Sequence, residues 1–211
     1  MGHDVNGATV RSAAARVLRC YEHSAARGEN LCAPLFAGEP TIEPYRHYGS
    51  VDDVATGARY FYHAHPPSAR IRGEHGHFHV FLRPGRDEPG GPRLVQLVSI
   101  SVNARGLPVA LFTTPSNWAP SARAAALLPR FAVRSGGPRR IHTWLRAMLR
   151  AFRGDIVALL EARDRRLERW CRRHPSLDPR TNPDGYRRAG GPRFLSGRRI
   201  SLDDVVRRSR A

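Results

Sequence analysis

Lysine is absent from this chain of 211 residues: all 35 basic residues are arginine, against 18 acidic ones, and the net charge is +17. Arginine codons are mostly GC-rich and lysine codons AT-rich, so the absence indicates a GC-rich genome. A GC-rich genome explains why arginine is used in place of lysine. It does not explain the excess of basic over acidic residues, most of which lies in the C-terminal third. Basic surfaces attract phosphate. Nucleic-acid binding is therefore one interpretation, although we do not favour it.

Long apolar runs are also missing, and none approaches the roughly 20 residues that span a bilayer. The N-terminus lacks a basic region followed by an apolar stretch, which argues against a signal peptide. Cys20, Cys32 and Cys171 are widely spaced and form no CxxC pair, so they indicate neither a disulfide framework nor a zinc knuckle. We expect a reduced, cytoplasmic protein without a membrane partner. No pattern predicts an oligomeric state.

Hydrophobic periodicity predicts an α+β fold. A helical repeat over 8–27 opens the chain, and further helical stripes follow at 120–128, 139–152 and 155–173. Between them, apolar or alternating runs joined by turn residues predict strands at 59–65, 75–83, 94–102 and 107–113. We predict one domain over 1–175, an antiparallel sheet of about four strands flanked by N- and C-terminal helices. A basic tail is expected over 176–211, partly disordered apart from a weak helical piece near 202–207.

Five histidines lie in the predicted hairpin, residues 59–83. His63 and His65 are two residues apart in one strand, and His75, His77 and His79 alternate in the next, so each set shares a face. A hairpin centred near residue 70 places His63 opposite His77 and His65 opposite His75. Opposed side chains have Cβ atoms about 4.5–5.5 Å apart, and imidazoles there can converge on one ion at about 2.0–2.1 Å. A one-residue slip would send one set to the other face.

Histidines crowded on one face favour a metal ion over an exposed polar surface, since protonated rings repel and buried neutral rings need partners. Nitrogen ligands suit a divalent transition metal such as zinc, iron or copper. We therefore predict a metal-dependent hydrolase or oxygenase acting on a small molecule. Glu74 lies on the other face of a regular strand, but a bend inward would make it a ligand or a catalytic base. A non-catalytic metal-binding or sensing protein is the alternative if four histidines close the coordination sphere.

Four further residues are candidates for the surroundings of the site. His47 and Asp52 precede the first predicted strand, and Asn117 and Trp118 follow the fourth. Asp52 is also typical of a residue that caps a turn, and an isolated tryptophan is most often a packing residue.

The residues HGHFHVF at 75–81 resemble the HφHφHφφ signature of the histidine-triad nucleotide hydrolases and transferases. The resemblance implies that His77 is a catalytic nucleophile for a nucleotide α-phosphate, with His75 and His79 supporting it. Two features depart from that pattern. Gly76 stands where the family has a hydrophobic residue, and an HxH strand comes directly before the motif.

Several segments together resemble an uncharacterised bacterial family of hypothetical proteins with a domain of unknown function. They are YFYHAH at 60–65, EHGHFH at 74–79, LFTT at 111–114 and LLEARD at 159–164. This resemblance implies a shared fold and no particular activity. The segment after Pro175 departs from the family pattern.

Overall fold

A six-stranded antiparallel sheet, with its strands in chain order, forms the centre of the computed structural model, which describes residues 3–36, 38–39, 42–85 and 94–211. The strands are β1 (Tyr48–Asp53), β2 (Ala58–His63), β3 (Gly76–Leu82), β4 (Val95–Val102), β5 (Pro108–Thr113) and β6 (Ser196–Arg199). The helices are α1 (His3–Ala25), α2 (Ser121–Leu127), α3 (Arg139–Ala151), α4 (Arg153–Arg173), α5 (Pro183–Arg188) and α6 (Leu202–Arg210). The predicted α+β class is confirmed, with six strands where about four were expected.

The three central strands are buried along their whole length, as their apolar sequences require. One face of the sheet packs against α3: the ring of Phe78 lies 5.3 Å from that of Trp144. On the same face Tyr60 Oη lies 3.1 Å from His142 Nε2. Side chains alternate along a strand, so the neighbouring positions on β2 and β3 face the other way. Those positions carry the histidines.

The two edge strands were not predicted. β1 reads YGSVDD with a register shift, and β6 reads SGRR, so neither has the apolar alternation by which strands are recognised. Short, charged strands are typical of sheet edges, where they discourage pairing with other chains. β6 pairs with β5 along residues Ala110–Thr113, and Thr113 Oγ1 lies 2.6 Å from Ser196 Oγ.

The segment predicted as a partly disordered tail thus supplies the sixth strand and two helices. Arg198 and Arg208 form ion pairs with Asp155, which is buried near the start of α4. Val205 on α6 is fully buried. The break between α3 and α4 falls at Phe152. No described helix has the length and apolar character needed to cross a membrane.

Gly76, at the first residue of β3, has no room for a side chain. A Cβ there would meet the ring and hydroxyl of Tyr62 and lie 2.7 Å from the carbonyl oxygen of His63. We expect Gly76→Ala to lower the free energy of unfolding by about 1–3 kcal/mol, the usual cost of overpacking. Urea denaturation measures the loss. Gly154 in α4 is the control, because a Cβ there meets nothing within 4 Å. Gly154→Ala should instead raise the free energy of unfolding by about 0.5–1 kcal/mol. Equal effects of the two substitutions would contradict the steric argument.

Candidate metal centre

The pairing of β2 with β3 brings the histidines of the two strands together. His63 lies directly opposite His77, which confirms the predicted register at that pair. His65 lies beyond the end of β2, in a loop where Arg70 Nε donates to its carbonyl oxygen at 2.6 Å. The His65 ring centroid is 5.0 Å from that of His63 and 5.1 Å from that of His77.

These three histidines could hold a metal ion. His63, His65 and His77 each offer a ring nitrogen, and the three nitrogens lie within 4.8 Å of one another. Two nitrogens bound to one tetrahedral ion at about 2.0–2.1 Å are about 3.3 Å apart. Side-chain movements of about an ångström therefore suffice to close the rings around an ion.

A bend at His75 exchanges the expected positions of Glu74 and His75. His75 lies outside β3, and its Nδ1 is 2.8 Å from Tyr62 Oη, on the face that packs against the helices. The predicted pair of His65 with His75 therefore does not form. His75, His77 and His79, the three histidines of the histidine-triad resemblance, therefore do not share one face of the sheet. Glu74 enters the site in place of His75, by the inward bend that a regular strand would not allow.

Glu74 and His77 form a buried carboxylate–imidazole pair. The Nδ1 of His77 donates to Glu74 Oε1 at 2.9 Å, and the hydroxyl of Ser101 donates to Oε2 at 2.6 Å. Burial acts to raise the pKa of Glu74, but the hydrogen bonds from His77 and Ser101 outweigh it and lower the pKa. With its proton held at Nδ1, His77 carries a lone pair on Nε2, which faces His79 Nε2. Carboxylates orient metal-binding histidines in this way.

His79 extends the cluster and has its own polar support. Its Nε2 lies 3.1 Å from His77 Nε2 and 3.3 Å from His63 Nε2. On the other side of the ring, Nδ1 lies 2.8 Å from Ser99 Oγ and 2.9 Å from Gln96 Nε2. Thr114 orients the Gln96 amide by donating to its Oε1 at 2.6 Å. In that orientation the amide N–H donates a hydrogen bond to Nδ1, so Nε2 carries the ring proton.

Burial disfavours the protonated form of three histidines of the site, His63, His65 and His79. Burial, with smaller contributions from the rings of His77 and His65, lowers the pKa of His63 from its ordinary 6.5 to about 3. Burial likewise lowers the pKa of His79 and of His65. The Nδ1 of His63 is buried and has no hydrogen-bond partner among the described residues. Neutral rings with an unused lone pair are what a metal ion requires.

The cluster opens into a cavity of about 500 Å³. Its walls include aromatic rings and arginines, among them Phe61, Phe81, Phe112, Phe194, Arg59 and Arg193. A pocket of this size is typical of small-molecule sites.

The other candidates divide between the site and the scaffold. His47 stacks on Phe61 at 3.9 Å, and its ring lies 5.5 Å from that of His63. Asn117 lines the cavity. Asp52 instead forms an ion pair with Arg83, and Trp118 donates its indole N–H to Asp164 at 3.0 Å; neither is among the described lining residues.

Sequence reasoning missed the polar residues of β4. Gln96, Ser99 and Ser101 lie in the strand predicted at 94–102, and their side chains face His79 and Glu74. The signal was present, because Ser99 and Ser101 are two residues apart and so share a face. Tyr186 and Phe194 in the C-terminal segment also line the cavity, and no sequence pattern pointed to them.

A family model described as "Domain of unknown function (DUF6969)" matches residues 11–184. No curated protein and no solved structure matches the chain. The family description assigns no activity, so the chemistry of the site has to be argued from its residues.

Proposed function

The chain belongs to this family of unknown function, and from that premise we propose that it is a metal-dependent enzyme acting on a small molecule. The observation that carries the proposal is the Glu74–His77 pair, which directs a ring nitrogen toward His63 and His65 at the wall of a cavity. The donor set suits zinc, iron or copper. Such an ion, when bound, would polarise a water molecule or a substrate oxygen.

Three protein ligands, and not four, are proposed. His63, His65 and His77 would hold the ion, while His79 carries its proton on Nε2 and so offers a hydrogen bond instead of a lone pair. Three ligands leave a coordination position open, which catalysis needs and which a purely structural or sensing site lacks. Glu74 would orient His77 from behind, away from the substrate.

The remaining alternatives have less support. A metal-free nucleotide transferase would need His75 beside His77, whereas His75 is bound to Tyr62 on the other face. Nucleic-acid binding has less support because two of the C-terminal arginines, Arg198 and Arg208, are paired with the buried Asp155.

Elemental analysis of protein purified without a histidine tag tests the proposal. We expect about one equivalent of zinc, iron or copper per chain after reconstitution. Less than about a tenth of an equivalent of any transition metal, even after reconstitution, would rule out a metal-dependent function.

The visible spectrum of the cobalt(II)-loaded protein distinguishes a catalytic site with an open coordination position from a non-catalytic site with four protein ligands. Added azide should shift the visible absorption of the bound cobalt, because the anion enters an open position. A spectrum that azide leaves unchanged would favour the non-catalytic, four-ligand alternative.

A further inference from the structure

The cavity beside the histidines is lined by positive charge. Arg59, Arg187 and Arg193 are among its lining residues, and none of the described lining residues is Asp or Glu. Arg187 is paired with Asp184. The side chains of Arg59 and Arg193 form no hydrogen bond or ion pair within the described part of the chain, so both guanidinium groups are available to a ligand.

The proposed metal would add to this charge. Three neutral imidazoles bring no negative charge to a divalent ion, and Glu74 compensates only one of its two charges. Charges act strongly on one another in a partly enclosed cavity, where the effective dielectric constant is lower than in water. A ligand with a negative group would therefore be favoured over a neutral one of the same shape.

Arg193, an exposed residue of the cavity lining, is the arginine that we assign to that negative group. Its chain neighbour Phe194 packs edge-on against Phe112 at 4.8 Å, and the Phe194 ring lies 6.5 Å from that of His65. The contacts of Phe194 hold this part of the chain beside the proposed ligands. A guanidinium group binds a carboxylate or a phosphate in a bidentate manner, which also fixes the orientation of the bound molecule.

Aromatic rings supply the other half of the recognition. Phe61 and Phe81 stack at 5.6 Å on one side of the cavity, and Phe112 and Phe194 meet at its other side. Rings of this kind bind an apolar body through buried area and ring contacts.

We infer that the substrate is a small organic anion, with an apolar body that packs on these rings and a carboxylate or phosphate group that binds Arg193. This inference rests on the proposed metal function for the charge of the ion, but the arginine and the rings are independent of it. It excludes neutral and cationic substrates of similar size.

Calorimetric titration of the metal-loaded protein with benzoate, phenyl phosphate and benzamide tests the inference. We expect at least one of the two anions to bind about tenfold or more tightly than benzamide, the neutral isostere of benzoate. Arg193→Gln should weaken binding of that anion about tenfold or more. Arg188→Gln removes the same charge from an exposed position outside the described lining, and should change the Kd by less than about twofold.

Two results would overturn the inference: benzamide binding as tightly as both anions, or an Arg193→Gln protein that binds the anion like the wild type. Metal content measured on the same samples separates this failure from that of the proposed function. Metal with no anion preference rejects the substrate class alone. Arg193-dependent anion binding without any metal rejects the metal-dependent function and leaves the substrate class standing.

Discussion

Replacement of His77 by alanine is expected to weaken metal binding about 1000-fold or more, beyond the 10- to 100-fold that the loss of a supporting partner costs. The variant loses a ligand and also leaves the buried carboxylate of Glu74 without its hydrogen-bond partner. Competition with a chelator of known affinity measures the Kd, and elemental analysis gives the content.

His75 provides the matched control for that experiment. It is two residues from His77, but its ring lies on the opposite face of the sheet, against Tyr62. His75→Ala should change the Kd for metal by less than about threefold. Glu74→Gln should fall between the two, at about 10- to 100-fold. Equal losses in the His75 and His77 variants would contradict the arrangement of the site.

Acidification is expected to destabilise the metal-free protein steeply between pH 6.5 and pH 4. The pKa of His63 is lowered to about 3 by burial, and burial also lowers the pKa of His79 and His65. In that pH range the unfolded chain takes up more protons on these rings than the folded chain does. The contribution of these rings to the free energy of unfolding is therefore fully present above their unfolded pKa of about 6.5. It is lost as the pH falls toward their pKa values in the folded protein. Each such ring contributes up to about 1.4 kcal/mol per pH unit.

Urea denaturation in the presence of a chelator, repeated at intervals from pH 7 to pH 4, measures this dependence. His63→Gln removes one of the shifted groups, so its stability should fall less steeply with pH. His23→Gln, at an exposed position on α1, should leave the slope unchanged. A wild-type stability that stays constant over this range would show that the cluster is not buried in its neutral form.

The part of the site that follows from strand periodicity could be predicted. The spacing of His63 and of His77 from the centre of the hairpin predicted their pairing, and the apolar runs predicted the central strands. The bend at His75 could not be predicted, because it depends on the absence of a side chain at Gly76 and on the contact of His75 with Tyr62. As a result, the sequence assigned His75 to the cluster and left the side-chain direction of Glu74 open.

The C-terminal segment was the largest departure from the sequence-based expectation, and the reason is physical. Its only strand contains glycine, serine and arginine, and it is ordered by what it joins: the edge of β5 and the buried Asp155. Contacts of this kind between distant parts of the chain leave no local pattern. Composition alone therefore predicted partial disorder for a segment that lines the cavity with Tyr186 and Phe194.

Two parts of the chain contribute residues to the cavity lining. The histidines and Glu74 lie within residues 11–184, which the family model matches, whereas Arg193 and Phe194 lie beyond them. The proposed metal ligands thus lie inside the family match, and the arginine proposed to bind the anion lies outside it. Relatives that keep the hairpin but carry a different C-terminal segment are expected to retain the same metal affinity and to prefer different ligands. Exchange of residues 185–211 between two such relatives should transfer the ligand preference without altering the metal.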